Sequence, residues 1–175
     1  MSGHNKWSKI KHKKAATDGQ KSKIFSKLVR FITVEAKKAN GDINSPGLRL
    51  AIEKARKENM PNDNIDRAIK KATEPGAAME AGMYEGYGPG GAGIIVETLT
   101  DSKNRAAQEI KHIFSKNNGA LGAMGSVAWA FQKQDSEWIP TTTVELSDED
   151  IEKLSNLVEE LEDNDEVQNV YTNAS

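Results

Sequence analysis

The chain has 175 residues, 37% hydrophobic and 29% charged, with no cysteine. That length supports one good core or two small domains, and the lack of cysteine excludes disulfides, thiolate chemistry and Cys-ligated zinc. The formal net charge of −2 conceals a division: residues 1–75 carry 18 Lys and Arg against 8 Asp and Glu, and residues 76–175 carry 6 against 18.

In chain order, residues 1–15 (MSGHNKWSKIKHKKA) read as a basic arm, with five lysines, no acid and no apolar periodicity. No apolar stretch follows it, so a secretory signal is not expected and a cytoplasmic location is. A helix is predicted from about Thr17-Asp18, with Asp18 as a cap, to about Asn40, with Gly41 closing it. Phe25, Leu28, Ile32 and Ala36 recur at helical spacing on its buried side, and Lys23, Lys27, Arg30 and Lys37 recur on another face. Ser45-Pro46 reads as N-cap and first helical residue of a second helix to about Asn59, striped by Leu48, Ile52 and Ala55. A third helix follows Pro61 to about Thr73, with Ile65, Ala68, Ile69 and Ala72 inward. These helices form a predicted three-helix bundle. Glu74-Pro75-Gly76-Ala77-Ala78 is the expected linker, which gives a basic domain over 1–76 and an acidic one over 77–175.

The second half changes pattern. Strands are predicted at Tyr84–Tyr87, Ile94–Leu99, Val127–Phe131, Thr141–Leu146 and Val167–Tyr171, and helices at about Asp101–Asn117 and from Ser147. Ser147 with Asp150 has the spacing of a capping box. The reading is an α+β chain whose second domain follows the ferredoxin-like order β-α-β-β-α-β.

Several segments together resemble the YebC/PmpR family: MSGHNKWSKIKHKKAATD, SKIFSKLVRFI, LRLAIEKARKENMPNDNIDRAIKKAT, YEGYGPGG, TDSKNRAAQEIKHIFSKNNGALG, SVAWAF and LEDNDEVQNVYTN. The resemblance runs through nearly the whole chain in order. It implies a nucleic-acid-binding regulator of gene expression, a DNA-binding transcriptional regulator first, with a ribosome-associated translation factor for proline-rich segments as the alternative. One departure is evident. Family members are usually longer, with a further α/β domain after SVAWAF, whereas Gln132–Pro140 bridges that gap directly here. The resemblance therefore implies a compact variant without the third domain.

The candidate nucleic-acid contacts are Lys6, Lys9, Lys11, Lys13, Lys14, Lys21, Lys23, Lys27 and Arg30, with Trp7 and His12 available to stack on bases or ribose. The competing explanation is a solvated basic face. Lysine acts as a point charge, while arginine reads guanine through two donors, so binding is expected to follow phosphate and shape. Tyr84, Tyr87, Gly88, Pro89 and Gly90 form a possible partner loop. It precedes a strand and lacks the Lys-Ser/Thr ending of a nucleotide loop, so a turn between strands is the simpler reading. His4, His12 and His112 lack metal-ligand spacing, and no nucleophile–base pair is visible. Neither metal, cofactor nor enzymatic activity is expected. The acids near the C-terminus follow a helix end and read first as a solvated acidic face; the functional alternative is a guard against nucleic acid or a surface for a basic protein, with no membrane partner.

Overall fold

The computed structural model describes Trp7, residues 18–76 and residues 79–175. They fall into two compact units, Ala16–Gly82 with Leu99–Lys103, and Met83–Thr98 with Asn104–Ser175, which Trp7 joins. The division lies inside a strand, a few residues beyond the 76/77 boundary expected from composition.

The helical unit contains α1 (Asp18–Lys38), α2 (Pro46–Lys57) and α3 (Asn62–Thr73). Pro46 opens α2 after an extended Ser45, where its missing N–H costs nothing. Left-handed asparagines close both of the first two helices. Asn40 stands at φ 49° and Asn59 at φ 61°. The following amides, Gly41 N and Met60 N, donate to Ala36 O at 2.9 Å and Ala55 O at 3.0 Å, satisfying end carbonyls. The core joins Ile32, Leu48, Ile52, Met60 and Ile65 with five alanines, Ala36, Ala51, Ala55, Ala68 and Ala72. Small residues at helix contacts let the axes approach closely, while the long apolar side chains fill the space between them.

The second architecture is built from β1 (Glu80–Tyr87), β2 (Gly93–Thr100), α4 (Lys103–Lys116), β3 (Ala120–Leu121), β4 (Phe131–Gln134), β5 (Glu137–Pro140), α5 (Asp148–Asp163) and β6 (Val167–Thr172). Four strands form a sheet in the order β3-β1-β2-β6, and β4 with β5 makes a separate antiparallel hairpin. β2 pairs antiparallel with β6, Ile94 opposite Thr172 and Val96 opposite Val170. Its sequence GIIVETLT is buried on both sides. Ile94 and Val96 pack with Ile110, Phe114, Leu154 and Leu161 from the helices, while the intervening Ile95 packs with Val127, Ala130 and Phe131. The alternation along one strand thus supports two cores. Ser147 caps α5 as expected, its hydroxyl accepting from Asp150 N at 3.2 Å.

The α+β class, with helices preceding the sheet, stands as read, but two strand assignments are corrected. Ala128–Ala130 is a 3-10 turn, and only Phe131 of the expected strand Val127–Phe131 enters a strand. Val127, Ala130 and Phe131 are buried because they cap the second face of the sheet. Thr141–Leu146 holds one bridge, Val144 to Ala174, instead of a strand. The sheet takes its inner strand from β1, upstream of β2, and its edge from the two-residue β3.

Candidate nucleic-acid interface

The expected contact residues are dispersed. Lys6, Lys9, Lys11, His12, Lys13 and Lys14 lie outside the described residues. On α1, Lys21 is exposed, and Lys23 and Lys27 are half-buried. Arg30 is turned to an internal task, its Nη1 donating to Leu99 O at 3.0 Å and lying 3.9 Å from the Met79 sulfur. A guanidinium donating to a backbone carbonyl braces the fold, a role beside the expected phosphate contact. Trp7 also differs from the expectation of an exposed aromatic. It is buried in the cluster of Ile94, Ile110, Phe114 and Leu154, so its indole is not presented for stacking.

Helices α2 and α3 supply cations that the sequence reading had left out. Arg56, Lys57, Arg67, Lys70 and Lys71 are all exposed. Among the described residues no salt bridge holds any of them; the bundle's described pairs are Lys38–Glu35 at 2.9 Å and Arg49–Glu53 at 4.0 Å. Arg67, Lys70 and Lys71 stand at i, i+3 and i+4, on one face of α3. Their signal was available in the sequence, since each falls off the apolar stripe of its helix. Lys54 is different, its Nζ lying 5.4 Å from the centre of the Phe31 ring. Cations in the last turns of all three helices also offset the partial negative charge of the helix ends.

The sheet unit leaves Lys111 exposed and outside the salt bridges among the described residues, but pairs its other described cations. Arg105 pairs with the buried Glu166, Lys116 with Glu160 at 3.0 Å, Lys133 with Glu97 at 3.7 Å and Lys153 with Glu149 at 2.6 Å. Asn117 and Lys116 hold the Glu160 carboxyl below the usual range. The surplus charge on this half of the chain is therefore negative.

The loop at Gly125–Ala128, on which Tyr87 rests, is held by Glu85, a residue outside the expected contact set. Glu85 is 3% exposed, and its carboxylate accepts from the backbone N–H groups of Gly125 at 2.5 Å, Val127 at 3.0 Å and Ala128 at 2.6 Å. Burial raises its pKa, but the three backbone donors outweigh that effect and leave it lowered. Tyr87 O–H and Trp129 Nε1–H both donate to Ser126 O, at 2.6 and 2.8 Å. Tyr84 is partly buried against the core, Gly88 and Pro89 are buried, and Gly90 stands at φ 71° in the exposed turn. This segment is a turn between β1 and β2, and its glycine at positive φ suits that role. Among the described residues no cluster of three or more His, Asp or Glu could hold a metal ion, and no helix is long and apolar enough to cross a membrane.

Fold and charge together define an α+β protein in which a cationic helical unit is linked to an acidic sheet unit. Residues 5–75 match the TACO1/YebC protein N-terminal domain, and residues 79–136 and 133–174 match the TACO1/YebC second and third domain. The chain belongs to the TACO1/YebC family. A probable transcriptional regulatory protein of Desulfosudis oleivorans is 41% identical over 238 aligned positions, covering 100% of this chain and 97% of the relative. A probable transcriptional regulatory protein of Thermotoga petrophila is 50% identical over 157 positions, covering 88% of this chain and 60% of that one. The crystal structure of a conserved hypothetical protein, Aq1575 from Aquifex aeolicus, superposes with a TM-score of 0.87 at 32% identity, covering 98% and 97% of the two chains.

The first of these alignments is longer than the chain itself, so that relative carries intervening sequence absent here. The two stretches matching the second- and third-domain model meet at residues 133–136. Those residues are the end of β4 and the two-residue turn into β5, where Asp135 stands at φ 54°. A short hairpin thus occupies the place where the expected third domain would enter.

Proposed function

We propose that this chain is a nucleic-acid-binding regulator of gene expression, and that its helical unit and basic N-terminal arm contact phosphate. The observation carrying this reading is the contrast in pairing. Arg56, Lys57, Arg67, Lys70 and Lys71 are exposed and outside salt bridges among the described residues, whereas Arg105, Lys116, Lys133 and Lys153 are each taken up by a carboxylate. Exposed cations that keep their charge can displace counterions from a phosphate backbone, and this release drives binding. The names of the relatives favour transcriptional regulation, and hence duplex DNA as the target.

A second reading, action at the ribosome, is favoured by the composition of the contact residues. Lysines dominate the arm, and point charges grip phosphate without reading bases, which suits structured RNA as well as DNA. The experiment that decides is titration of the full-length protein against promoter fragments, random duplex and ribosomes across a salt series. Transcriptional regulation predicts that one promoter is retained at the highest salt. Retention on ribosomes alone replaces that reading with the translational one.

A further inference from the structure

We propose that the Tyr87–Met124–Trp129 surface of the sheet unit is the docking site for a basic protein. Met124 is 87% exposed, Trp129 66% and Tyr87 41%. Tyr87 and Trp129 meet at Ser126 O, two residues from Met124, and exposed apolar side chains gathered in this way mark an interaction site. These three also stand on a fixed frame. The Glu85 carboxylate holds the backbone of Gly125, Val127 and Ala128, and the shared acceptor Ser126 O fixes Tyr87 and Trp129. Because the phenol and indole donors are satisfied internally, the rings present apolar faces. A rigid aromatic anchor loses little entropy on binding.

Charge identifies the occupant. Residues 117–131 contain no charged side chain, and neither do residues 86–96. Register joins the two runs, with Gly86 opposite Leu121 and Tyr87 opposite Ala120. Around this neutral centre the unit is acidic. Asp148, Glu149 and Asp150 open α5, which packs against the turn at Pro89–Gly91. At the opposite end Glu160, paired with Lys116 through Oε1, accepts from Asn117 Nδ2 at 2.7 Å through Oε2. An apolar centre with an acidic rim is complementary to a protein that offers an apolar contact within a cationic rim. A nucleic acid would find rings to stack on, yet its phosphates would meet a half of the chain with 18 acids against 6 cations, so the protein is favoured.

The test uses the full-length chain with a photo-crosslinking phenylalanine analogue at position 124, irradiated in cells. The crosslinked species is identified, purified and titrated against the wild type, Trp129→Ala and Met124→Ala, whose side chains are exposed and whose loss leaves the core intact. The expected result is a basic protein whose dissociation constant rises about tenfold with Trp129→Ala and less with Met124→Ala. Crosslinks to nucleic acid alone, crosslinks only to a second copy of the chain, no crosslink, or equal affinity for all three proteins would overturn the proposal. Neutralising Lys9, Lys11, Lys13 and Lys14 tests phosphate binding separately and should leave the crosslink in place, so either reading can fail without the other.

Discussion

The helical unit and the sheet unit differ in what they do with charge and with space. The helical unit closes around alanines and keeps many of its cations outside salt bridges on the surface. The sheet unit fills two cores with Ile, Leu, Val and Phe, pairs its described cations other than Lys111 with acids, and buries one carboxylate to fix a loop. Surface ion pairs add little stability, typically below about 1 kcal/mol, so the pairing matters mainly for the field each unit projects. One unit is suited to attract polyanions, while the other repels them and offers an ordered apolar surface.

The largest expected effect separates the two cores. Phe114→Ala should destabilise the sheet unit by about 3–5 kcal/mol, and Ile32→Ala the helical unit by about 2–5 kcal/mol. Hydrogen exchange, followed residue by residue, should show each loss confined to its own unit. Trp7→Ala should behave like Phe114→Ala and lower protection in β2, α4 and α5, because Trp7 packs in their cluster. A protection pattern unchanged by Trp7→Ala would return the indole to the surface.

Glu85→Ala comes next. It strips three backbone N–H groups of a charged acceptor, at a cost of about 3 kcal/mol. Its sign with pH is fixed by the lowered pKa. The stabilisation is complete above the ordinary value of 4.5 and is lost as pH falls through the lower folded-state value. Denaturant titrations of the wild type should therefore show a fall in stability on acidification that is smaller in Glu85→Gln. Equal slopes would remove the carboxylate from this role.

Arg30→Ala should be milder, about 1–2 kcal/mol, from loss of the bond to Leu99 O. Nucleic-acid affinity should change little in this variant, whereas Arg67→Gln with Lys70→Gln should lower affinity several-fold and leave stability within about 0.5 kcal/mol. Filter-binding and thermal melts on the same preparations check both. A reversal of the two effects would make Arg30 the contact and α3 the support.

The helices were legible because their signals are local. Ser45-Pro46 announced α2, Ser147 with Asp150 announced α5, and the apolar stripes had a clear helical period. The sheet was less legible because its assembly is not local. Val127–Phe131 is apolar enough for a strand, yet its Val127, Ala130 and Phe131 are buried by capping a sheet face, and a short apolar run does not distinguish the two. β3 has two residues, too few for a pattern. Trp7 is a single aromatic in a cationic stretch, so no periodicity marks it as core. Glu85 is invisible for the same reason, because its three partners lie about forty positions away. The proposed interface was partly legible, in that charge density pointed to the first domain, but Arg30 shows that a basic residue at the right spacing can serve the fold as well.

The most direct test of the central claim is the salt dependence of nucleic-acid binding in full-length protein, wild type against a variant with Arg56, Lys57, Arg67, Lys70 and Lys71 changed to Gln. Contact through about six phosphates predicts that wild-type affinity falls roughly 10³-fold between 50 and 200 mM salt, and that the variant binds more weakly with a flatter slope. Equal affinity and equal slope in the two proteins would contradict the assignment of the helical unit as a phosphate-binding surface.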